Sequence, residues 1–290
     1  MAQFAILRVL GMTPNDKKIV MTTPTRALCQ QTYETLQSMF KSVYAHNNPY
    51  YNRLNIVMHT GETEASVHKL ENATIIVSTP EMFASACRQP TTMINWTDRV
   101  RLVIFDEFHS IGSAQGSAYE ELIAYLKNRN VRLIGLSATI QNWREVTVLF
   151  ATKNHVASTV LFSEDYRPIK LMRHYVGVST NAPIDGDQIV KAFMRTTRSI
   201  IRKLETSTTY TENSILCFVP THKQTMELAN MFLSELGTGL KILPPHYTQE
   251  EKQRLNNVHN SSVKRLLRIG IGIHHAGLCQ YDRLFVGDVS

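Results

Sequence analysis

The sequence has 290 residues, of which 43% are hydrophobic and 19% are charged, and its formal net charge is +7. This length suffices for about two domains of ordinary size, and the positive charge is compatible with an anionic partner such as nucleic acid. No apolar run reaches the roughly 18 to 20 residues that a transmembrane helix needs, and the first residues lack the pattern of a signal peptide. We therefore expect a protein of the cytosol or the nucleus, and no membrane partner.

The four cysteines are far apart in the chain and have no paired spacing. They are Cys29, Cys87, Cys217 and Cys279. Disulfide frameworks and zinc sites usually show closely spaced pairs of ligands, and neither pattern occurs here. The sequence predicts reduced thiols.

Five short apolar runs in the first half are typical of strands buried on both faces of a parallel sheet. They read KKIVMTT, LNIVMHT, ATIIVST, RLVIFDE and VRLIGLSAT. The segments between them have helical patterns, and we predict helices at 27–40, 81–88, 117–129 and 142–150. This alternation predicts a doubly wound α/β sheet.

After residue 150 the pattern changes. The segment STVLFSEDYRPIKLMRHYVGVS predicts two extended stretches around a turn, and the polar TNAPIDGD predicts a linker. Beyond it we predict a helix at 188–204, a strand at SILCFVP, a helix at 222–236 and a further apolar segment, RIGIGI. The predicted organisation is a first domain at 1–178, a linker at 179–187 and a second α/β domain at 188–290.

Two adjacent carboxylates, Asp106 and Glu107, directly follow the apolar run of RLVIFDE. Ligands of open α/β sheets bind beyond the carboxyl ends of the strands. Neighbouring carboxylates repel each other, and Mg²⁺ bound to a nucleoside triphosphate would compensate their charge. One carboxylate would then hold the metal and the other would orient the attacking water. The alternative is that Asp106 only caps the next helix, and this segment alone does not decide between them.

Small hydroxyl residues follow the other predicted strands, in TTPTRAL at 22–28, TGET at 60–63, STPE at 78–81 and SAT at 137–139. Ser or Thr before Pro at a helix start offers a hydroxyl and free backbone N–H groups to a phosphate. Together with DEFH at 106–109, these segments resemble motifs Ia, Ib, Ic, II and III of superfamily 2 DExH-box helicases.

The second half extends this resemblance to the Ski-like helicases, which include spliceosomal, cointegrator-complex and meiotic members. The segment YRPIKLMRHYVGV resembles the connecting strands of that family, CFVPTHKQT resembles motif IV, and GIGIHHAGL with the following DR resembles motif IVa. The segment HHAGL is the most specific of these.

The resemblance implies a P-loop NTPase fold of RecA-like parallel sheets flanked by helices, with ATP and Mg²⁺ as cofactors. The implied partner is single-stranded or duplex nucleic acid, with RNA favoured and DNA possible, within a larger ribonucleoprotein or repair complex. Catalytic roles fall on Asp106, which also holds Mg²⁺, on Glu107 and on His109. Coupling roles fall on Ser137, Ala138 and Thr139. The implied nucleic-acid-binding residues are Pro24, Thr25, Arg26, Thr60, Gly61, Thr79, Pro80, Glu81, Thr221, His275 and Gly277.

The sequence also departs from the family pattern, since it contains no Walker A loop of the form G-x-x-x-x-G-K-[ST]. In the family a segment like AILRVL follows that loop. We therefore expect a fragment without the first strand and Walker A, whose incomplete second domain ends before the arginine finger. Two functions remain open: the core of an ATP-dependent helicase, or a degenerate, non-catalytic scaffold that binds nucleic acid or a partner. A hydrolase or transferase of another kind would need a nucleophile and base that we do not find.

Overall fold

The computed structural model describes residues 2–12, 17–40, 54–61, 65–88, 96–113, 116–175, 177, 192–200, 215–236 and 246–289. The chain forms two compact units, Met1–Ile169 and Lys170–Ser290. The predicted linker at 179–187 lies outside the described residues. The predicted domain limits therefore stay a prediction, and each unit is described by itself below.

The first unit contains one sheet of five strands in the order β2-β3-β1-β4-β5, with every neighbouring pair parallel. The strands are β1 Lys18–Thr22, β2 Ile56–His59, β3 Ile75–Ser78, β4 Val100–Phe105 and β5 Arg132–Gly135. Each coincides with one of the five predicted apolar runs, although β4 begins at Val100, one residue before RLVIFDE. All residues of β1 and β3 are buried, as a parallel sheet covered on both faces requires.

Helices cover both faces of this sheet. They are α1 Ala2–Met12, α2 Arg26–Phe40, α3 Val67–Asn72, α4 Pro80–Arg88, α5 Gly116–Leu126 and α6 Trp143–Leu149. Alternate strand residues belong to two separate hydrophobic clusters: Val20 packs with Phe83 and Tyr119, whereas Ile19 packs with Ile6 and Leu36. The predicted α/β fold, a parallel sheet between two helical layers, is confirmed.

The described part of the second unit is helical. Its helices are α7 at 192–200, α8 His222–Leu236, α9 Gln249–Asn256, α10 Ser261–Leu267 and α11 Gln280–Val289. Leu266 and Phe285 are completely buried in its core, where they pack with Val263 and Ile273. The predicted helix at 222–236 is confirmed by α8. Among the described residues of either unit, no helix is long and apolar enough to cross a bilayer.

The predicted strand at SILCFVP is wrong, because residues 215–220 have no strand conformation. Ile215, Leu216 and Phe218 are 50%, 76% and 80% exposed. A strand is stabilised by hydrogen bonds to a neighbour, and no described residue pairs with this segment. The predicted turn near residue 165 falls on a short 3-10 helix, Glu164–Tyr166, without strands in the described residues on either side.

Candidate nucleotide and nucleic-acid site

The carboxyl ends of the five parallel strands lie at one edge of the sheet. Residues 24–26 follow β1, Thr60 and Gly61 follow β2, and 79–81 follow β3. The carboxylate pair follows β4, and 137–139 come shortly after β5. The structure therefore brings every predicted site residue of the first unit to the same edge, where open α/β sheets bind their ligands.

Hydrogen bonds continue between the strand ends beyond the sheet itself. The Thr23 N–H donates to the Ser78 carbonyl at 3.1 Å, and the Asp106 N–H donates to the Thr22 carbonyl at 2.9 Å. The Ser78 hydroxyl donates to the His59 carbonyl at 2.8 Å. These bonds fix the segments after β1, β2, β3 and β4 relative to one another.

Glu107 has left-handed backbone angles, with φ 49° and ψ 44°. Among the described residues it is the only one other than glycine with a positive φ. This conformation costs about 1 kcal/mol or more for a residue with a side chain, and such residues are concentrated at functional sites. The left-handed conformation therefore occurs at Glu107, which is the residue predicted from the sequence to orient the attacking water.

The capping alternative for Asp106 finds little support in this turn. The residue that precedes the 3-10 helix Phe108–Gly112 is Glu107, and its side chain makes no capping hydrogen bond. Asp106 Oδ1 instead accepts the N–H of its neighbour Glu107 at 3.0 Å. Both carboxylates are partly exposed, and they present the oxygen ligands that Mg²⁺ prefers. This donor set fits a magnesium ion bound together with a nucleotide.

Phe108 anchors the turn in the hydrophobic core. Its ring is buried, and its centroid lies 5.6 Å from that of Tyr119 and 4.8 Å from that of Phe150. The Phe108 N–H donates to the Leu136 carbonyl at 2.9 Å, which joins the turn to the segment after β5. Since Phe108 is held on both sides, its polar neighbours in the sequence stay at the edge of the sheet.

His109 links the carboxylate pair to the segment after β5. Its Nδ1 lies 3.3 Å from Glu107 Oε2 and 3.4 Å from Ser137 Oγ. Ala138 and Thr139 follow as exposed residues. Of the three predicted coupling residues, Ser137 is therefore the one that contacts the predicted catalytic residues.

Arg26 and Gly61 approach each other closely. An ideal Cβ on Gly61 would lie 3.0 Å from Nη2 of Arg26, so a side chain here would displace the guanidinium. The adjacent Thr60 is buried, whereas Thr25 is exposed and its hydroxyl accepts the Leu28 N–H at 3.3 Å. The predicted motifs Ia and Ib thus meet at the exposed guanidinium of Arg26.

The residues after β3 form the start of α4. Thr79 Oγ1 accepts the Met82 N–H at 3.4 Å, and Pro80 is the first residue of the helix, where a missing N–H is tolerated. Thr79 and Pro80 are buried, and Glu81 is exposed. Direct contact of Thr79 with nucleic acid stays a prediction, as do the roles of Pro24 and Glu81.

In the second unit, the predicted residues meet at the start of α8. The Thr221 N–H donates to Gln224 Oε1 at 3.1 Å, and Thr221 Oγ1 accepts the Gln224 N–H at 3.3 Å. This reciprocal pair is a capping box, which satisfies two backbone groups at the helix start. Thr221 therefore has a structural role that its sequence pattern, T-x-x-Q before a helix, also indicates.

His275 lies over His222, with ring centroids 4.5 Å apart and planes inclined by 22°. The Gly277 N–H donates to His275 Nδ1 at 3.1 Å. Burial, followed by the nearby His222 and His274, lowers the pKa of His275, so the neutral ring is favoured. His222 was not among the predicted site residues, although its position directly after Thr221 places it beside them.

Tyr119 was also missed. It is completely buried beneath the DEFH turn, and its hydroxyl has no hydrogen-bond partner among the described residues. Burial, followed by the charges of Glu81 and Asp106, raises its pKa well above the usual value for tyrosine. Its place in a predicted helix is the one signal of Tyr119 in the sequence.

Comparison with known proteins identifies the family. A family model described as DEAD/DEAH box helicase matches residues 1–146. The chain is 28% identical to the ATP-dependent DNA helicase MER3 of Saccharomyces cerevisiae over 98% of its length and 22% of the relative. It is 28% identical to the U5 small nuclear ribonucleoprotein 200 kDa helicase of Homo sapiens over 95% of its length and 12% of the relative.

A third relative is the activating signal cointegrator 1 complex subunit 3 of Dictyostelium discoideum, which is 27% identical over 92% of this chain and 12% of its own length. The chain thus spans between 12% and 22% of the length of these relatives. The resemblance predicted from the motifs is confirmed, and the chain belongs to the DEAD/DEAH box helicase family.

Proposed function

We propose that this chain is part of the core of an ATP-dependent nucleic-acid helicase, in which ATP hydrolysis drives strand unwinding. The observation that carries the proposal is the path of polar contacts from Glu107 through His109 to Ser137, at the sheet edge that also holds Arg26 and Gly61. This path connects Glu107, the residue proposed to orient the attacking water, with the segment 137–139, which is proposed to transmit the state of the nucleotide.

The chemical step would use both carboxylates. Asp106 would hold Mg²⁺ through its carboxylate oxygens, and the ion would neutralise charge on the phosphates. Glu107 would orient the attacking water and accept its proton. The fixed left-handed turn supports this assignment, because it holds the carboxylate at one place relative to β4. Phe108 would contribute by keeping the turn rigid.

The coupling step would use His109 and Ser137. Glu107 and Ser137 both contact Nδ1 of His109, so a change in the hydrogen bonding of Glu107 during hydrolysis would alter the contact to Ser137. Ala138 and Thr139 continue the same exposed segment. We propose that this segment transmits the state of the nucleotide.

Nucleic acid would bind through its phosphates. The exposed guanidinium of Arg26, the close approach of Gly61 and the hydroxyl of Thr25 support contacts to the backbone, which position a strand without reading its sequence. In the second unit, the start of α8 with Thr221, together with the adjacent His275 and Gly277, would provide further contacts.

We favour RNA as the strand, because the human relative is named as a small nuclear ribonucleoprotein helicase. DNA is the alternative, since the yeast relative is named as a DNA helicase. The name of the human relative also supports a nuclear location and membership of a larger ribonucleoprotein, and the name of the Dictyostelium discoideum relative supports membership of a larger complex.

The second candidate is a non-catalytic scaffold that binds nucleic acid or a partner helicase. The observation in its favour is that the contacts proposed for strand binding, around Arg26, Gly61 and Thr25, do not depend on hydrolysis. Because the 290 residues contain no Walker A loop to hold the phosphates of ATP, we expect them by themselves to hydrolyse ATP negligibly under both proposals. Nucleic-acid-stimulated turnover by this chain would contradict that expectation.

The proposed strand binding can be tested with the chain as it is, by fluorescence anisotropy on labelled single-stranded RNA and DNA at several salt concentrations. Arg26→Gln should weaken binding to all sequences. It should also reduce the slope of log affinity against log salt concentration by about 1, the amount expected for the loss of one phosphate contact. The matched control is Arg132→Gln, an exposed arginine at the opposite end of the sheet. Binding that is insensitive to salt, or equally weakened by both substitutions, would contradict the proposed interface.

A further inference from the structure

Three side chains with metal-binding atoms converge in the second unit, apart from the residues discussed above. They are His259, Cys279 and Asp282, and one ligand atom of each lies within 4.8 Å of the other two. His259 Nδ1 is 3.3 Å from Asp282 Oδ1 and 3.6 Å from Cys279 Sγ. His259 belongs to the turn between α9 and α10, Cys279 directly precedes α11, and Asp282 lies in the first turn of α11.

These separations match the edges of a zinc coordination tetrahedron. With Zn–N of about 2.05 Å, Zn–O of about 2.1 Å and Zn–S of about 2.3 Å, tetrahedral angles place nitrogen and oxygen about 3.4 Å apart and nitrogen and sulfur about 3.6 Å apart. We propose that His259, Cys279 and Asp282 form a zinc-binding site with three protein ligands and a fourth position open to solvent.

The ligands are already positioned by the backbone. Asp282 is 1% exposed, and its carboxylate accepts the N–H groups of His259 and Asn260, each at 2.9 Å. Cys279 Sγ accepts the Asp282 N–H at 3.5 Å. A carboxylate has about four lone-pair positions, so the two backbone bonds leave capacity for a metal. Such outer hydrogen bonds orient the ligands of metal sites.

The same three residue types also form nucleophilic triads, but this geometry excludes one. In a triad, the carboxylate and the nucleophile contact opposite nitrogens of the imidazole, so that a proton passes through the ring. Here Asp282 and Cys279 both approach Nδ1 of His259. Donors that converge on one point suit a metal ion and do not suit a proton relay.

The ligand types favour zinc over the hard cations. Thiolate and imidazole suit Zn²⁺, whereas Mg²⁺ and Ca²⁺ prefer oxygen ligands alone. His259 has a side chain that is 71% exposed, and Cys279 is exposed, so an ion has access from solvent. On binding, the Cys279 thiol would release its proton to solvent and coordinate as the thiolate. The metal would tie the turn after α9 to the start of α11.

The experiment titrates the reduced 290-residue chain with Co²⁺ and then with Zn²⁺. Thiolate coordination to Co²⁺ produces a charge-transfer absorption band, which Zn²⁺ abolishes when it displaces Co²⁺. Cys279→Ser should abolish the band, and because serine is a better helix cap than cysteine, α11 should remain intact. His259→Gln should weaken Zn²⁺ binding at least about 100-fold, since loss of a group that only hydrogen-bonds to a ligand already lowers metal affinity about 10- to 100-fold. The matched control is Cys217→Ser, which removes a thiol in the same unit.

The proposal is supported if one Co²⁺ binds with this band in the original chain and in Cys217→Ser, but not in Cys279→Ser. It is overturned if the original chain gives no band, if Cys279→Ser retains the band, or if Cys217→Ser loses it. Unchanged Zn²⁺ affinity in His259→Gln would likewise overturn it. Circular dichroism of each variant separates loss of metal binding from loss of helix.

Discussion

The Nδ1 atom of His109 lies 3.4 Å from the hydroxyl oxygen of Ser137, which joins the turn after β4 to the segment after β5. If this contact couples ATP hydrolysis to strand unwinding, its loss should reduce unwinding much more than ATP turnover. The substitution is best made in a chimera, in which residues 1–290 replace the matching segment of the yeast relative MER3.

In that chimera, Ser137→Ala should leave ATP turnover within a few-fold of the parent but reduce unwinding about 10-fold or more, a usual size for coupling between sites. Both rates are measured on the same duplex substrate. The control is Ser163→Ala, an exposed serine whose hydroxyl contacts its neighbour Asp165. Equal losses of turnover and unwinding would refute a coupling role for this contact.

Gly61→Ala should weaken nucleic-acid binding with little effect on stability. The new methyl group would lie 3.0 Å from Nη2 of Arg26, and the end of this long side chain can move aside. We expect a several-fold weaker affinity and a change in unfolding free energy within about 1 kcal/mol. The control is Gly112→Ala, because an ideal Cβ there has no heavy atom within 4 Å.

The double variant distinguishes a shared site from two independent effects. If Gly61→Ala acts by displacing Arg26, it should add little to the loss already caused by Arg26→Gln. Anisotropy measurements on the two single variants and the double variant give this comparison. Additive losses would mean that Gly61 acts independently of Arg26.

Tyr119→Phe should remove a source of alkaline instability from the first unit. The pKa of Tyr119 is raised, chiefly by burial, so the folded protein holds the phenolic proton more tightly than the unfolded chain does. Its contribution to stability is complete below the unfolded pKa of about 10 and is lost as the pH rises through the higher folded value. At neutral pH the substitution should be neutral or slightly stabilising, because the hydroxyl has no partner among the described residues.

Tryptophan fluorescence during urea unfolding is the appropriate measurement, since both tryptophans, Trp96 and Trp143, lie in the first unit. Tyr125→Phe on the same helix is the control, because Tyr125 is only partly buried. The free energy of unfolding of Tyr119→Phe should fall less steeply above about pH 10 than that of the original chain or the control. The same slope in all three proteins would show that Tyr119 does not titrate on unfolding.

The first unit was predictable because each of its strands falls in a short apolar run, and the central strands β1 and β3 are buried on both faces. Residues of β1 such as Ile19 and Val20 are completely buried, and polar residues follow as soon as the strand ends. The prediction of a strand around Phe218 was wrong because an apolar run indicates only that burial of its side chains would be favourable. The run does not indicate which neighbouring strand would form hydrogen bonds with it, and none of the described residues pairs with it.

The sheet-edge location of the site followed from the order of its motifs, but its contacts did not. Nothing in the sequence indicates that His109 contacts both Glu107 and Ser137, because that depends on the turn conformation at Glu107. The cluster around Cys279 was missed for a related reason. Its ligands lie 20 and 3 residues apart, include a single cysteine and match no zinc spacing, so only the fold brings them together.

The carboxylate pair itself is tested by two substitutions in the MER3 chimera. Glu107→Gln preserves size and hydrogen-bonding shape but removes the charge that would orient the water and accept its proton. We expect turnover to fall about 10²- to 10⁴-fold, the usual contribution of a general base, while ATP and strand binding persist. Near-normal turnover in Glu107→Gln would overturn the proposed mechanism.

Asp106→Asn should act differently, because the proposed task of Asp106 is to hold Mg²⁺. We expect a higher Mg²⁺ concentration for half-maximal turnover and weaker Mg²⁺-dependent nucleotide binding, since asparagine is a poorer ligand than a charged carboxylate. The capping alternative predicts otherwise: asparagine caps a helix about as well as aspartate, so the substitution would be nearly silent. Measuring turnover and nucleotide affinity across a Mg²⁺ titration for both variants separates these accounts. A silent Asp106→Asn beside an inactive Glu107→Gln would leave Glu107 as the water-orienting residue and reduce Asp106 to a structural role in the turn.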